Sequence, residues 1–154
     1  MTPQDLAHHR RCVELAAIAV NRGDDPFGSV LVAADGTVLA ERSNEVNTSG
    51  DVTAHPELAL ARWASENLSP PERAAATMYT SGEHCPMCAA AHVWAGIGRL
   101  AFVLSHQMIV DLLPAGATSF GLTAADVIAA SNASVVIEGP CPELVKDAAA
   151  LFLR

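Results

Sequence analysis

The sequence predicts an α/β domain built on five strands, and three observations carry that reading. Five short runs rich in apolar and β-branched residues recur at 27–33, 37–42, 76–80, 99–104 and 134–138. Stretches with helical spacing separate most of them. The chain has 154 residues, 51% hydrophobic and 17% charged, which suits one domain (1–154) with a proper core and excludes a disordered chain.

The elements follow in order. Residues 5–22 have the spacing of a first helix, with Leu6, Val13, Ala16, Ala17 and Val20 as apolar positions. His8 and His9 read as solvated residues on it, because no cysteine or second ligand stands at metal-binding spacing from them. Turn residues at 21–26 end the helix. The runs at 27–33 and 37–42 flank Ala34-Asp35-Gly36, and a D-G pair between two such runs predicts a hairpin. Residues 44–51 are a polar loop. His55 opens a second helix to about Asn67, with Pro56 at the first helical position, where its missing N–H costs nothing. Residues 69–73 read as a loop and 76–80 as the third strand. A third helix covers 85–95, and the fourth strand, 99–104, follows it, so the strand–helix–strand order predicts a parallel crossover. Short helices are expected near 109–113 and after Thr123, a fifth strand at 134–138, and a last helix at 142–152.

Charge and cysteine usage exclude several function classes. The net charge of −8 and pI near 5.0 make a surface that repels phosphate backbones, so nucleic acid is not the expected partner. No apolar run reaches membrane-spanning length, and the first residues do not read as a signal peptide. The expected location is the cytoplasm, where four cysteines need an explanation other than disulfides. Cys12 and Cys141 read as plain buried thiols.

Cys85 and Cys88 form a C-x-x-C at the start of the third helix, and His55-x-Glu57 opens the second. One imidazole and two thiolates give three ligands for a tetrahedral zinc, one ion per chain, with the fourth position open to water as catalytic sites require. A helix N-terminus favours negative charge, which supports both thiolates. Glu57 is two residues from a ligand and need not coordinate, so it is placed to move protons. The competing reading is a structural site completed by some other residue; it leaves Glu57 beside the metal without a task.

These motifs resemble the cytidine deaminase-like superfamily. The closer likeness is to its guanine and cytosine deaminase and tRNA adenosine deaminase branch. It rests on Pro26-Phe27-Gly28, Asn44, Thr53-Ala54-His55-x-Glu57, Thr80-Ser81-x-Glu83-x-Cys85-Pro86-Met87-Cys88 and Trp94, and covers roughly residues 5–105. The resemblance implies a three-layer α/β/α sandwich with a five-stranded mixed sheet. It implies zinc on His55, Cys85 and Cys88, with Glu57 as the proton shuttle. Asn44 would hydrogen-bond the substrate ring, the Ala54 N–H would contact a ring oxygen, and Phe27 and Trp94 would wall the pocket. The Cys85 N–H would stabilise the transition state. The implied reaction is hydrolytic deamination of a free nucleobase or related heterocycle such as guanine, cytosine or ammeline. A nucleoside or tRNA is the alternative substrate, and a non-catalytic zinc scaffold the reading from another class. The family likeness also implies a homodimer. Two positions depart from the family pattern. Pro56 replaces the usual alanine and should stiffen the helix start. His84 replaces the usual proline and reads as solvent-facing or hydrogen-bonded in a structural role.

Overall fold

The computed structural model describes residues 1–153. Helix α1 (Pro3–Arg22) begins two residues earlier than its apolar spacing indicates, because Thr2 caps it. Thr2 Oγ1 accepts the Asp5 N–H at 3.1 Å, and the Thr2 N–H donates to the Asp5 carboxylate at 2.8 Å. The stripe that α1 turns to the sheet is Asp5, His9, Cys12, Ala16 and Ala19, with Leu15 beside it. Leu6 and Val13 lie to one side, where they pack toward the C-terminal helix.

That stripe corrects the expectation that His9 is solvated. It is 1% exposed and meets Tyr79 edge-on, with ring centroids 5.2 Å apart. Burial of the imidazole pushes its pKa down from 6.5 to about 4. The unfolded chain therefore takes up a proton at His9 as pH falls below 6.5, and the folded chain refuses it until about pH 4. Stability is expected to fall with acidification across that window, by about 1.4 kcal/mol per pH unit from this residue, and to level off below it. In urea titrations at a series of pH values, His9→Gln should show a shallower acid limb than the parent. Equal slopes would reject this role for His9.

The hairpin forms as the D-G pair predicts. Strands β1 (Gly28–Val32) and β2 (Val38–Ser43) pair antiparallel, and the turn closes through Gly36 at φ 88°, a left-handed conformation that suits glycine. The polar loop that follows holds one helical turn, α2 (Val46–Ser49). Helix α3 (Pro56–Asn67) comes next. The expected loop at 69–73 is instead a short helix, α4 (Pro70–Ala75), because Ser69 and Glu72 form a reciprocal cap at its start. Strand β3 (Thr77–Gly82), helix α5 (Pro86–Ala95) and strand β4 (Arg99–Leu104) make the expected parallel crossover. Helices α6 (His106–Leu112) and α7 (Ala124–Ala129), strand β5 (Val136–Glu138) and helix α8 (Pro142–Ala150) complete the chain.

The five strands run in the order β2-β1-β3-β4-β5, antiparallel at β2/β1/β3 and parallel at β3/β4/β5. Alternation along the strands divides the core in two. Val30, Val32, Tyr79 and Ala101 face α1, and Val103 packs with Leu144 and Ala148 of α8. On the other face Leu31 and Met78 meet Leu60, Ala61 and Ala64 of α3, and Leu100 and Phe102 meet α5 and α7. The result is the three-layer α/β/α sandwich. Cys12 and Cys141 are both fully buried thiols, as expected. Among the described residues no helix is long and apolar enough to cross a membrane.

Candidate active site

The residue before a proline is held extended, because the proline ring clashes with a helical conformation there. The chain uses this twice at one edge of the sheet. His55 precedes Pro56 at the start of α3 (ψ 140°), and Cys85 precedes Pro86 at the start of α5 (ψ 167°). Each is the residue that caps its helix, so its side chain is free to leave the helix axis. Cys88 follows one turn into α5. The two helix starts meet: His55 Nδ1 lies 3.7 Å from Cys85 Sγ and 3.5 Å from Cys88 Sγ.

These three donors lie within 4.8 Å of one another. Tetrahedral zinc, with bonds of about 2.3 Å to sulfur and about 2.0–2.1 Å to nitrogen, sets S···N separations of about 3.6 Å. The observed pair of distances brackets that value. The charge state points the same way. A hydrogen bond from Cys88 holds the Cys85 thiol down to about 4, with His55 also contributing. The Cys85 thiolate in turn, together with burial, pushes Cys88 up. The hydrogen bond to Cys85 raises His55. Two thiols competing over one proton are a donor set that a divalent cation relieves, since it favours both thiolates.

Glu57 stands behind these groups, 5% exposed. Its Oε2 is 3.5 Å from Cys88 Sγ and 3.9 Å from His55 Nδ1. Its Oε1 accepts from Ser29 Oγ at 3.4 Å and lies 3.2 Å from Thr80 Oγ1, whose one proton is shared with the Gly82 carbonyl at 2.9 Å. Burial pushes the Glu57 carboxyl up from its usual range. The contact of Thr80 and Ser29 with Glu57 escapes a reading of the sequence; for Ser29 the signal is a lone hydroxyl in the fully buried strand β1, which must find a partner.

His55, Glu57 and Cys85 line a cavity of about 640 Å³. Phe27 also lines it, with its ring edge-on to Phe152 at 5.6 Å. The far wall comes from α6 and from the segment after it, notably Ile109 and Phe120. Asn44 reaches the cavity from the end of β2 and is 2% exposed. Its Oδ1 accepts the N–H of Val46 at 3.0 Å and of Asp25 at 3.3 Å, which leaves its Nδ2 to donate. The loop around it is held from α1: Arg22 donates to the Asn44 carbonyl at 2.6 Å and to Asp24, and buried Asp24 accepts from Thr48 at 2.8 Å.

Residues 4–135 match the family model of the MafB19-like deaminases. The chain belongs to that family. It is a deaminase of the cytidine deaminase-like superfamily. Over 142 residues it is 29% identical to a probable cytosine deaminase of Schizosaccharomyces pombe, covering 91% of this chain and 86% of that one. It is 41% identical over 98 residues to the guanine deaminase of Bacillus subtilis, which spans 63% of this chain and 62% of the relative. Among solved structures it superposes on a chain from a study of A-to-I editing by tRNA:A34 deaminases. The TM-score there is 0.69 at 27% identity, over 95% of this chain and 99% of that one.

Within this deaminase fold, two expectations about the site, for Trp94 and Ala54, meet a different geometry, and the alternatives for His84 are narrowed to one. Trp94 does not wall the cavity. It is 87% exposed, because it sits nearly two turns beyond the cavity-lining start of α5, about 10 Å further along the axis. The Ala54 N–H donates to the Asp51 carbonyl at 3.0 Å, since 51–54 closes as a turn. His84 does not face solvent. It is 1% exposed, and its Nε2 is 3.1 Å from Nδ1 of His92, so the structural hydrogen bond is what the structure shows. His106, on the cavity wall, is a lining residue that the sequence reading passed over.

Proposed function

We propose that this chain is a zinc-dependent aminohydrolase, one ion per chain, acting on a free nucleobase or a related small aminated heterocycle of the guanine, cytosine or ammeline type. The observation that carries the reading is Glu57: a buried carboxylate, raised in pKa, in contact with two hydroxyls and set between the His55-Cys85-Cys88 donors and the cavity. His55, Cys85 and Cys88 would hold the ion. When bound, it supplies the Lewis acidity that makes a water molecule nucleophilic near neutral pH.

The residues do the rest. As the water oxygen bonds to the amine-bearing ring carbon, Glu57 takes a water proton and passes it to the adjacent ring nitrogen. The second water proton goes to the exocyclic nitrogen. The C–N bond then breaks with its electron pair on the departing ammonia, and the ring carbon becomes a carbonyl. The Asn44 Nδ2 donates to the ring edge, and Phe27 supplies an apolar face.

Charge and lining favour a small substrate. Among the described residues that line the cavity none is Lys or Arg, and the chain carries a net charge of −8. A polynucleotide would need cations along its backbone. Exposed Trp94 offers an apolar face for the homodimer that the resemblance implies. The test is ammonia release from guanine, cytosine, ammeline, guanosine, cytidine and a tRNA anticodon stem-loop at equal concentration. A free base is expected to turn over fastest. Faster release from a nucleoside would replace the substrate class, and stem-loop turnover well above every free base would reject the reading.

A further inference from the structure

The outer wall of the cavity is one continuous stretch, 106–123, and both its ends converge on a single side chain. Glu83 Oε2 accepts the N–H of His106, the first residue of α6, at 2.7 Å. Glu83 Oε1 accepts the N–H of Ala124, the first residue of α7, at 2.8 Å. These are two of the orphan donors that every helix start leaves, and a carboxylate is the group best suited to them. The Glu83 backbone is itself fixed, since its N–H donates to the Leu104 carbonyl at 2.8 Å and prolongs the β3/β4 pairing.

Between those two ends the stretch is lightly held. Helix α6 has no fully buried residue, and 114–122 is exposed throughout. Helix α6 seats Met108, Ile109 and Leu112 against the cluster of Val103, Leu104 and Leu144, and Ile109 also meets Gly82, beside Glu83. A Cβ on Gly82 would lie 2.9 Å from both Ile109 of α6 and Phe27, so any larger residue would push these side chains away from the end of β3. Glu83 is also two residues from Cys85, which joins the wall to the metal-bearing turn.

We propose that Glu83 is a positioning residue that clasps 106–123 over the site and thereby sets affinity for the substrate, leaving the chemical step to Glu57. The affinity half rests on the proposed deaminase reading; the clasp itself does not. Glu83→Ala removes both acceptors. Glu83→Gln keeps the shape but turns an NH2 toward one of the two N–H groups, so it loosens one end.

Hydrogen exchange measures the clasp without any substrate. In Glu83→Ala, amides within 106–126 should exchange at least about tenfold faster, with α3 and α5 unchanged; Glu83→Gln should show a smaller effect confined to one end. Zinc content should stay at the parent level. With the free base that the parent turns over best, KM should rise by about tenfold or more, while kcat stays within about threefold. Unchanged exchange at 106–126, or acceleration spread evenly over the whole chain, would overturn the clasp. A fall in kcat at constant KM would overturn the affinity role. Should the parent deaminate none of the bases, the proposed function fails while the exchange pattern still decides the clasp.

Discussion

Glu57→Gln is expected to abolish useful turnover, by at least about a hundredfold, while leaving fold and metal intact. The carboxamide has the same shape as the carboxylate. Its oxygen can still accept from Ser29 and lie beside Thr80, whose hydroxyls stand 3.4 and 3.2 Å from Oε1 in the parent. What it cannot do is take a proton from water and return it. The parent carboxyl is suited to both halves of that exchange because burial raises its pKa toward the working range. Steady-state ammonia release, paired with elemental analysis of the same preparation, separates the roles. A variant that stays active contradicts the shuttle. A variant that has lost its metal shows that Glu57 serves the ion rather than the proton.

The second large effect concerns the metal. Purified parent should carry about one zinc per chain, and Cys85→Ser or Cys88→Ser should lose most of it on dialysis, with activity lost in parallel. A serine hydroxyl stays protonated near neutral pH, so each substitution removes one anionic ligand from a set of three. The three-donor geometry places His55 Nδ1 at 3.7 and 3.5 Å from the two sulfurs, so losing either thiolate leaves two of the three ligands. Because a bound ion stabilises only the folded state, chelation should lower Tm in the parent and do little in either variant. Full zinc content in both serine variants would remove these residues from the ligand set.

Local rules carried much of this protein. The D-G hairpin, the strand–helix–strand crossover at β3, α5 and β4, and the helix starts at Pro56 and Pro86 all form as their residues dictate. Each depends on neighbours in sequence: a glycine that accepts positive φ, a proline that fixes the residue before it, an apolar run of strand length. The three donors and Glu57 were legible for the same reason, because H-x-E and C-x-x-C are spacings within single helical turns.

What needed the tertiary structure was everything decided by direction. The apolar residues of α1 admit more than one stripe, and only packing on β1 and β3 selects the one that buries His9. His84 sits in a polar motif, yet it is buried because His92, one turn past Cys88, lies within hydrogen-bonding reach. Trp94 shares a helix with Cys88 but points to solvent, since distance along α5 separates it from the cavity. Ser29, Thr80 and Glu83 act on partners 23 to 41 residues away: Glu57, His106 and Ala124. Spacing within a turn is written in the sequence. Which side chain meets which across a sheet edge depends on the sum of many weak packing terms, and those exist only once the chain has closed on itself.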